Sequence, residues 1–186
     1  MQEWSSNSGP EAMVRLTNGH FVVMSEGRES YWDSDYPALL FEGDPVEEPG
    51  VRLFRFAPPA GYRPVDMAQM PDGRVLILVR KLVLGLPPTF HVKLVLADPE
   101  DIAAQETWRG EVIATIADPK LADNYEGLAI VPGDDGAVAL WLISDDNNAT
   151  FQRTLLLKMK WNPVADASPA KEKARGNSAR PSEASL

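Results

Sequence analysis

Carboxylates stand at the ends of apolar runs in the stretch 123–161 of the chain. Glu126 opens one run, and Asp145 and Asp146 follow the next one. In an antiparallel meander the start of one strand lies beside the end of the strand that follows it. We therefore expect these three acids to meet at one edge of one sheet, where they could bind a cation.

Acids in comparable positions occur earlier in the chain, at Glu11, Glu26 and Asp66. Ca²⁺ takes about six to eight oxygen ligands, backbone carbonyls included, so an oxygen-rich rim suits this ion. The sequence predicts a calcium site whose carboxylate ligands come from Glu11, Glu26, Glu126 and Asp145.

The same rim offers residues for hydrolysis of a small-molecule phosphoester or carboxyl ester. A bound metal would lower the pKa of a water, orient a phosphate and neutralise its charge, and a guanidinium fork matches phosphate oxygens. The predicted catalytic residues are Glu126, Asp145, Asp146 and Arg153, and the predicted substrate-binding residues are Arg80, Asn124 and Asn147.

These residues also have a purely structural interpretation. Asp and Asn, as in the segment SDDNN, are ordinary turn formers that bond their own backbone. Glu126 and Arg153 could form an ion pair that ties strands together. Three hypotheses stay open: a metal-assisted phosphoesterase or esterase, a non-catalytic binding or scaffold module, and an inactive truncated remnant. Fold alone does not decide among them.

Short apolar runs separated by Gly, Pro, Asp and Asn turns predict an all-β chain. The predicted strands are Ala12–Leu16, His20–Ser25, Val51–Phe56, Val65–Met70, Arg74–Arg80, Phe90–Leu96, Glu111–Ile116, Gly127–Val131, Ala137–Ile143 and Thr154–Met159. One short helix is predicted over Pro99–Gln105, with Asp98 as its cap.

Three stretches share one order of features: an acid, a strand, a glycine turn, a strongly apolar strand and a charged end. Their opening acids, Glu11, Asp66 and Glu126, are 55 and 60 residues apart. Repeats of this length built from short strands are typical of β-propeller blades, so we predict about three four-stranded blades. A β-sandwich with similar hairpins is the alternative.

A closed propeller needs about four to eight blades. The sequence therefore predicts an incomplete propeller, for which two explanations stay open. Either the chain is the C-terminal part of a longer protein, or two copies form a homodimer that closes the ring.

Composition limits the partners and the extent of the domain. The formal net charge of −9 argues against nucleic acid and anionic lipid surfaces as partners. No apolar run reaches the roughly 18 residues of a membrane span, and the N-terminal residues have no signal-peptide pattern. Residues 1–162 are predicted to form the domain. Residues 163–186, dominated by Pro, Ala, Ser and charge, are predicted to be a disordered tail.

Several short motifs resemble those of the phytase-like family of bacterial β-propellers, named for an esterase-like activity of phytase. The matching segments are NxGxEA at Asn7–Ala12, Ser25-Glu26, DNYEGLA at Asp123–Ala129, SDDN at Ser144–Asn147 and QRTLLL at Gln152–Leu157. The resemblance implies six blades in the complete propeller and hydrolysis of phosphoesters or related esters, calcium-assisted as in propeller phytases. It also implies a periplasmic or secreted location. Without an export signal, the cytoplasm is the other expectation.

Overall fold

A computed structural model describes residues 9–28, 30, 33–104, 107–148 and 152–163. This part of the chain is almost entirely β-structure, so the all-β prediction is confirmed. The strands are β1 Pro10–Arg15, β2 Phe21–Ser25, β3 Tyr36–Phe41, β4 Val51–Phe56, β5 Arg63–Gln69, β6 Val75–Val83, β7 Thr89–Ala97, β8 Thr107–Trp108, β9 Glu111–Ile116, β10 Tyr125–Pro132, β11 Val138–Ser144 and β12 Leu156–Trp161. A 3-10 helix covers Pro45–Glu47, and helix α1 covers Asp101–Ala104.

The strands form three sheets in the order of the chain. Sheet A has the strand order β1-β2-β3-β4-β8, sheet B has β5-β6-β7-β9, and sheet C has β10-β11-β12. All neighbouring strands are antiparallel except β4 and β8, which are parallel. The four-stranded unit predicted in the middle of the chain is therefore sheet B. Of the predicted tail, residues 163–186, all but Pro163 lie outside the described residues.

Two strands, β3 and β8, were not predicted from the sequence, for identifiable reasons. Strand β3 contains Pro37, and a proline within a run lowers the expectation of a strand because it removes a ladder donor. Strand β8 has only two residues. The predicted helix is shorter than expected, four residues in all. Just before the helix begins, the predicted cap residue Asp98 accepts the Glu100 N–H through its Oδ1 (3.0 Å).

The first hairpin of each sheet closes with the same loop geometry. In each loop an Asn or Asp side chain accepts the N–H two residues later, and the glycine between them has a positive φ that favours this residue type. The loops are Asn18-Gly19-His20, Asp72-Gly73-Arg74 and Asp135-Gly136-Ala137. The local sequence thus fixes where these strands reverse.

The first strand of each sheet also carries a β-bulge near its start. The extra residue is Glu11 in β1, Val65 in β5 and Glu126 in β10. The alignment of Asp66 with Glu11 and Glu126 is therefore wrong by one residue, because Val65 is the residue in the equivalent position. A bulge changes the direction of the side chains around it. Asp66 lies one residue after the bulged position, so its side chain does not occupy the place that corresponds to Glu11 and Glu126.

Sheet B lies between the other two sheets and is buried on both faces. On β6, Val75, Ile77 and Val79 pack into a core shared with sheet A. The alternate residues Leu76 and Leu78 pack into a core shared with sheet C. Successive side chains of a strand point to opposite faces, and two buried faces explain why this run is apolar without interruption.

The first strands of the three sheets lie side by side, since β5 contacts both β1 and β10. Sheets stacked in this way resemble neighbouring propeller blades, but no closed ring is formed by the described residues, and the blade count stays a prediction. The outward faces of the two end sheets keep large apolar side chains exposed. These are Met13, Val51 and Leu53 on sheet A and Val131, Ile143 and Leu156 on sheet C.

Replacement of a leucine at the centre of this stack tests the packing. Leu78 is fully buried, so Leu78→Ala leaves a cavity and is expected to lower the free energy of unfolding by about 2–5 kcal/mol. Leu84→Ala is the matched control at an exposed position and is expected to change it by less than about 0.5 kcal/mol. Urea unfolding followed by circular dichroism measures both. Similar losses in the two variants would contradict the two-faced burial of sheet B.

Candidate functional site

The three sheets meet at a group of charged and polar side chains centred on Arg80 of β6. Arg80 Nη1 donates to Asn124 Oδ1 and Glu126 Oε1, which belong to the start of sheet C. Arg80 Nη2 donates to Glu26 Oε1 (2.9 Å), directly after β2 of sheet A. One guanidinium therefore bridges all three sheets.

Arg63 and Glu11 complete what we call the Arg80 cluster: Glu11, Glu26, Arg63, Arg80, Asn124 and Glu126. Arg63 pairs with Arg80 across β5 and β6, and it forms an ion pair with Glu26, with 3.0 Å between Arg63 Nε and Glu26 Oε1. The cluster thus holds three carboxylates and two guanidinium groups.

Burial dictates how Arg80 is surrounded. Its side chain is only 8% exposed, and a buried charge is tolerated only when it is paired and hydrogen-bonded. Two carboxylates and one amide meet this requirement, and its guanidinium carbon lies 5.8 Å from the centre of the Phe90 ring. Arg80 Nε is buried and has no hydrogen-bond partner among the described residues.

The segment DNYEG positions the side of the cluster that belongs to sheet C. Asn124 Nδ2 donates to Glu126 Oε1 (2.8 Å) and to the backbone carbonyl of Asp145 (3.2 Å). The Asp145 N–H donates back to the Asn124 carbonyl (3.0 Å). Asp123 accepts the Asn124 N–H (2.8 Å) and the Arg153 Nε–H (3.1 Å). Each polar residue of the segment therefore has a specific partner.

The carboxyl group of Glu11 lies in an electrostatic environment unlike that of Glu126. Glu11 is an exposed residue, but partial desolvation raises its pKa, and the negative charges of Glu26 and Glu126 raise this pKa further, while Arg80 and Arg63 oppose the shift. Glu126, in contrast, is bonded directly to the Arg80 guanidinium. The cluster thus favours protonation of Glu11 to a higher pH than is usual for a glutamate.

Asp66 is separate from this cluster and joins sheets B and C. Its Oδ2 accepts the Leu128 N–H (2.6 Å), and its Oδ1 accepts the Met67 N–H (2.8 Å). Burial raises the pKa of Asp66, and the two N–H bonds oppose that shift. The geometry gives Asp66 a structural role between two neighbouring inner strands.

The acids after β11 shape their own loop. Asp145 Oδ1 accepts the Asn147 N–H (3.0 Å), and Asp146 Oδ1 accepts the Asn148 N–H (2.9 Å). Asn147 also donates through its side chain to Gln152 (3.1 Å). These bonds match the turn-forming interpretation, since Asx side chains commonly bond the backbone two residues on.

One further site prediction concerns an arginine partner. The suggested ion pair of Glu126 with Arg153 is not formed in the structure: Glu126 pairs with Arg80, and Arg153 pairs with Asp123. Asp123 and Arg63 were absent from the predicted site residues. Asp123 has a signal in the sequence, because it opens the DNYEG motif, whereas nothing in the sequence around Arg63 marks its contact with Glu26.

The predicted calcium ligands fall into two groups. Glu11, Glu26 and Glu126 belong to the cluster. There the positively charged Arg80 guanidinium bridges Glu26 and Glu126, as a bound metal ion would. Asp145 contributes its backbone to the cluster, while its carboxylate bonds within the loop. No group of three or more His, Asp or Glu side chains suited to a metal occurs among the described residues. Calcium binding stays a prediction.

Stacked antiparallel sheets with a carboxylate and guanidinium cluster at their junction define an all-β protein whose polar site lies at strand ends. A family model described as "Phytase-like: Esterase-like activity of phytase" matches residues 1–148. The chain belongs to this phytase-like family. No curated protein matches the chain. No helix among the described residues is long and apolar enough to cross a membrane.

A crystal structure of a protein of unknown function from Bacteroides caccae resembles this chain weakly. The sequence identity is 10% and the TM-score is 0.33, over 86% of this chain and 63% of the other. The chain thus spans less than two thirds of that protein. A likeness at this level carries no argument about function.

Removal of the central guanidinium tests the cluster. Arg80→Met keeps much of the side-chain volume but leaves Glu26 and Glu126 without their shared partner. It is expected to lower the free energy of unfolding by about 3 kcal/mol, since breaking a buried ion pair is costly. Arg74→Met, which breaks a half-exposed pair with Asp72, is the control and is expected to cost less than about 1 kcal/mol. Chemical unfolding at pH 7 measures both, and equal costs would contradict the central role of Arg80.

Proposed function

We propose that this protein hydrolyses a small-molecule ester, either a carboxyl ester or a phosphoester, at the Arg80 cluster. The observation that carries the proposal is the contrast between two neighbouring carboxyl groups. Glu11 has a raised pKa, and Glu126 is ion-paired with Arg80. Pairs of titratable groups in such different environments are what acid–base catalysis requires. Membership of a family described by an esterase-like activity supports the same reaction.

The two carboxyl groups suit complementary roles in hydrolysis. Glu126, paired with Arg80, accepts a proton from a water molecule while the water oxygen attacks the ester. Glu11 donates a proton to the oxygen of the leaving alcohol, and its raised pKa increases the fraction of molecules in which it carries that proton. The ester and one water become an acid and an alcohol, and the proton taken by Glu126 later returns to Glu11 through solvent. Arg80 acts as a positioning residue that holds Glu126.

This mechanism assigns no step to Asp145, Asp146 or Arg153. The catalytic role predicted for these three residues from the sequence stays a prediction. Asn124 holds Glu126 rather than substrate in the described contacts. Asn147 and Arg80 stay predicted substrate contacts.

A non-catalytic module is the second candidate function, favoured by one specific observation. The terminal nitrogens of Arg80, a residue of sheet B, already bond to protein groups from sheets A and C. A cluster of this kind could serve only to tie the sheets together, and the protein would then act by binding or as a scaffold. Assays of hydrolysis separate the two candidates.

For the whole assembly, we propose that the three sheets are propeller blades and that a second copy of the chain covers the exposed apolar faces of sheets A and C. Side-by-side first strands support the radial arrangement. Exposed apolar faces at both ends of one stack support closure by another stack. The family's implied export leads us to propose a periplasmic or secreted location.

Substitution of the two glutamates tests the reaction. Glu126→Gln is expected to lower kcat/KM for p-nitrophenyl esters by about 100-fold or more, because removal of a positioned base costs about that much. For the wild type, kcat/KM should fall as the pH rises through the raised pKa of Glu11, since the proton donor is then lost. Glu11→Gln should lower the rate and abolish that fall. Release of p-nitrophenol from its phosphate, acetate and butanoate measures all three.

Asp135→Asn is the control for these variants, because Asp135 is exposed and pairs with Lys160 at a distant loop. Its activity should equal that of the wild type. Assays with added calcium and with chelator belong to the same experiment. Loss of activity with chelator would favour the calcium prediction and contradict the metal-free roles of Glu11 and Glu126. No hydrolysis of any ester would leave the non-catalytic module ahead.

The oligomeric state tests the proposed assembly. Light scattering coupled to size-exclusion chromatography should give twice the chain mass of 20.4 kDa. Leu53→Glu places a charge on the exposed face of sheet A and should shift the protein to a monomer without loss of its circular dichroism spectrum. A stable wild-type monomer would contradict closure by a second copy.

A further inference from the structure

The hairpin between β6 and β7 exposes an unusual amount of apolar surface. Leu82 is 46% exposed, Leu84 is 86% exposed, and Leu86 is fully exposed. Pro87, also exposed, and the half-buried Pro88 follow directly. Single exposed apolar residues are common in proteins, but a group of this size in one short segment indicates a surface that binds an apolar ligand, a protein or a membrane.

This apolar segment begins at the Arg80 cluster. Arg80 and Leu82 lie on the same face of β6, because they are two residues apart in a strand. Leu82 pairs across the hairpin with Phe90, whose ring contacts the Arg80 guanidinium. Leu84 and Leu86 lie in the loop beyond Leu82. The exposed leucines therefore follow the Arg80 cluster along the same hairpin, and the first of them, Leu82, is two residues from Arg80.

Charge limits what this combined surface can bind. The Arg80 cluster has three carboxylates against two guanidinium groups, and the whole chain carries a formal charge of −9. A polyanionic ligand would be repelled by both. A neutral ligand with one polar group and one apolar group fits, because the polar group can lie at the cluster while the apolar group contacts the leucines.

We infer that the hairpin 82–88 binds the apolar acyl chain of a neutral carboxyl ester whose reacting bond lies at the Arg80 cluster. The inference rests on the proposed function and makes it more specific: the substrates are carboxyl esters with acyl chains of several carbons, rather than phosphate-rich molecules. Each methylene that leaves water for the leucine surface should raise kcat/KM by up to about fourfold. Partial burial on an open hairpin would give about twofold.

The dependence of rate on chain length tests the inference. Wild-type kcat/KM should rise from p-nitrophenyl acetate to butanoate to hexanoate. The double variant Leu84→Ser/Leu86→Ser should lose most of this rise and leave the rate on acetate within about twofold. Val46→Ser, at an exposed valine of the 3-10 helix, is the control and should keep the rise. A wild type that shows no preference for longer chains, or a double variant that keeps it, would overturn the inference.

A binding measurement separates this inference from the proposed reaction. Hexanoyl p-nitroanilide has an amide in place of the ester, and ligand-observed NMR should detect its binding to the wild type but not to the double variant. Binding without hydrolysis of any ester would refute the proposed reaction and keep the apolar site. Absence of hexanoyl binding would refute the apolar site even if acetate is hydrolysed. Sedimentation with neutral phosphatidylcholine vesicles that is lost in the double variant, without hexanoyl binding, would also overturn it in favour of a membrane contact.

Discussion

A buried guanidinium group constrains the arrangement of this protein more than any other single feature. Arg80 continues the apolar strand β6, so its charge is carried to the end of a sheet that is covered on both sides. A charge in that position needs anionic partners nearby. Glu26 supplies one from sheet A, and Glu126 supplies another from sheet C. The three sheets are therefore joined at the same end by the requirement of one side chain.

The apolar cores and the polar cluster depend on each other. Alternation along β6 directs valine and isoleucine to sheet A and leucine to sheet C, which fixes sheet B in the middle of the stack. Bulges at Glu11 and Glu126 occur where the first strands of the end sheets approach that middle sheet. Packing thus brings carboxylates of sheets A and C close to Arg80, and its ion pairs with Glu26 and Glu126 then join the strand ends.

Acidic residues in this chain have distinct roles that follow from their surroundings. Asp145 and Asp146 bond backbone N–H groups in their own loop, and Asp66 bonds an N–H of the neighbouring sheet. Glu11 and Glu126 instead belong to the Arg80 cluster, where the pKa of Glu11 is raised and Glu126 is bonded directly to Arg80. The Arg80 cluster is a candidate for acid–base chemistry because its carboxyl groups have different electrostatic surroundings, not because of how many there are.

Local features of the fold could be predicted from the sequence alone. Alternating apolar runs and Asx-Gly turns specify strands and hairpins through bonds between residues close in the chain, so ten of the strands and the loops at Gly19, Gly73 and Gly136 were predicted. The convergence of Glu11, Glu26 and Glu126 was also expected. Their partner was not: Arg80 lies 54 residues after Glu26 and 46 before Glu126, and its assigned role was to bind phosphate. Tertiary structure decided that pairing, because the contact between whole sheet faces determines which distant side chains meet. It also decided the separate position of Asp66, because the bulged residue of β5 is Val65.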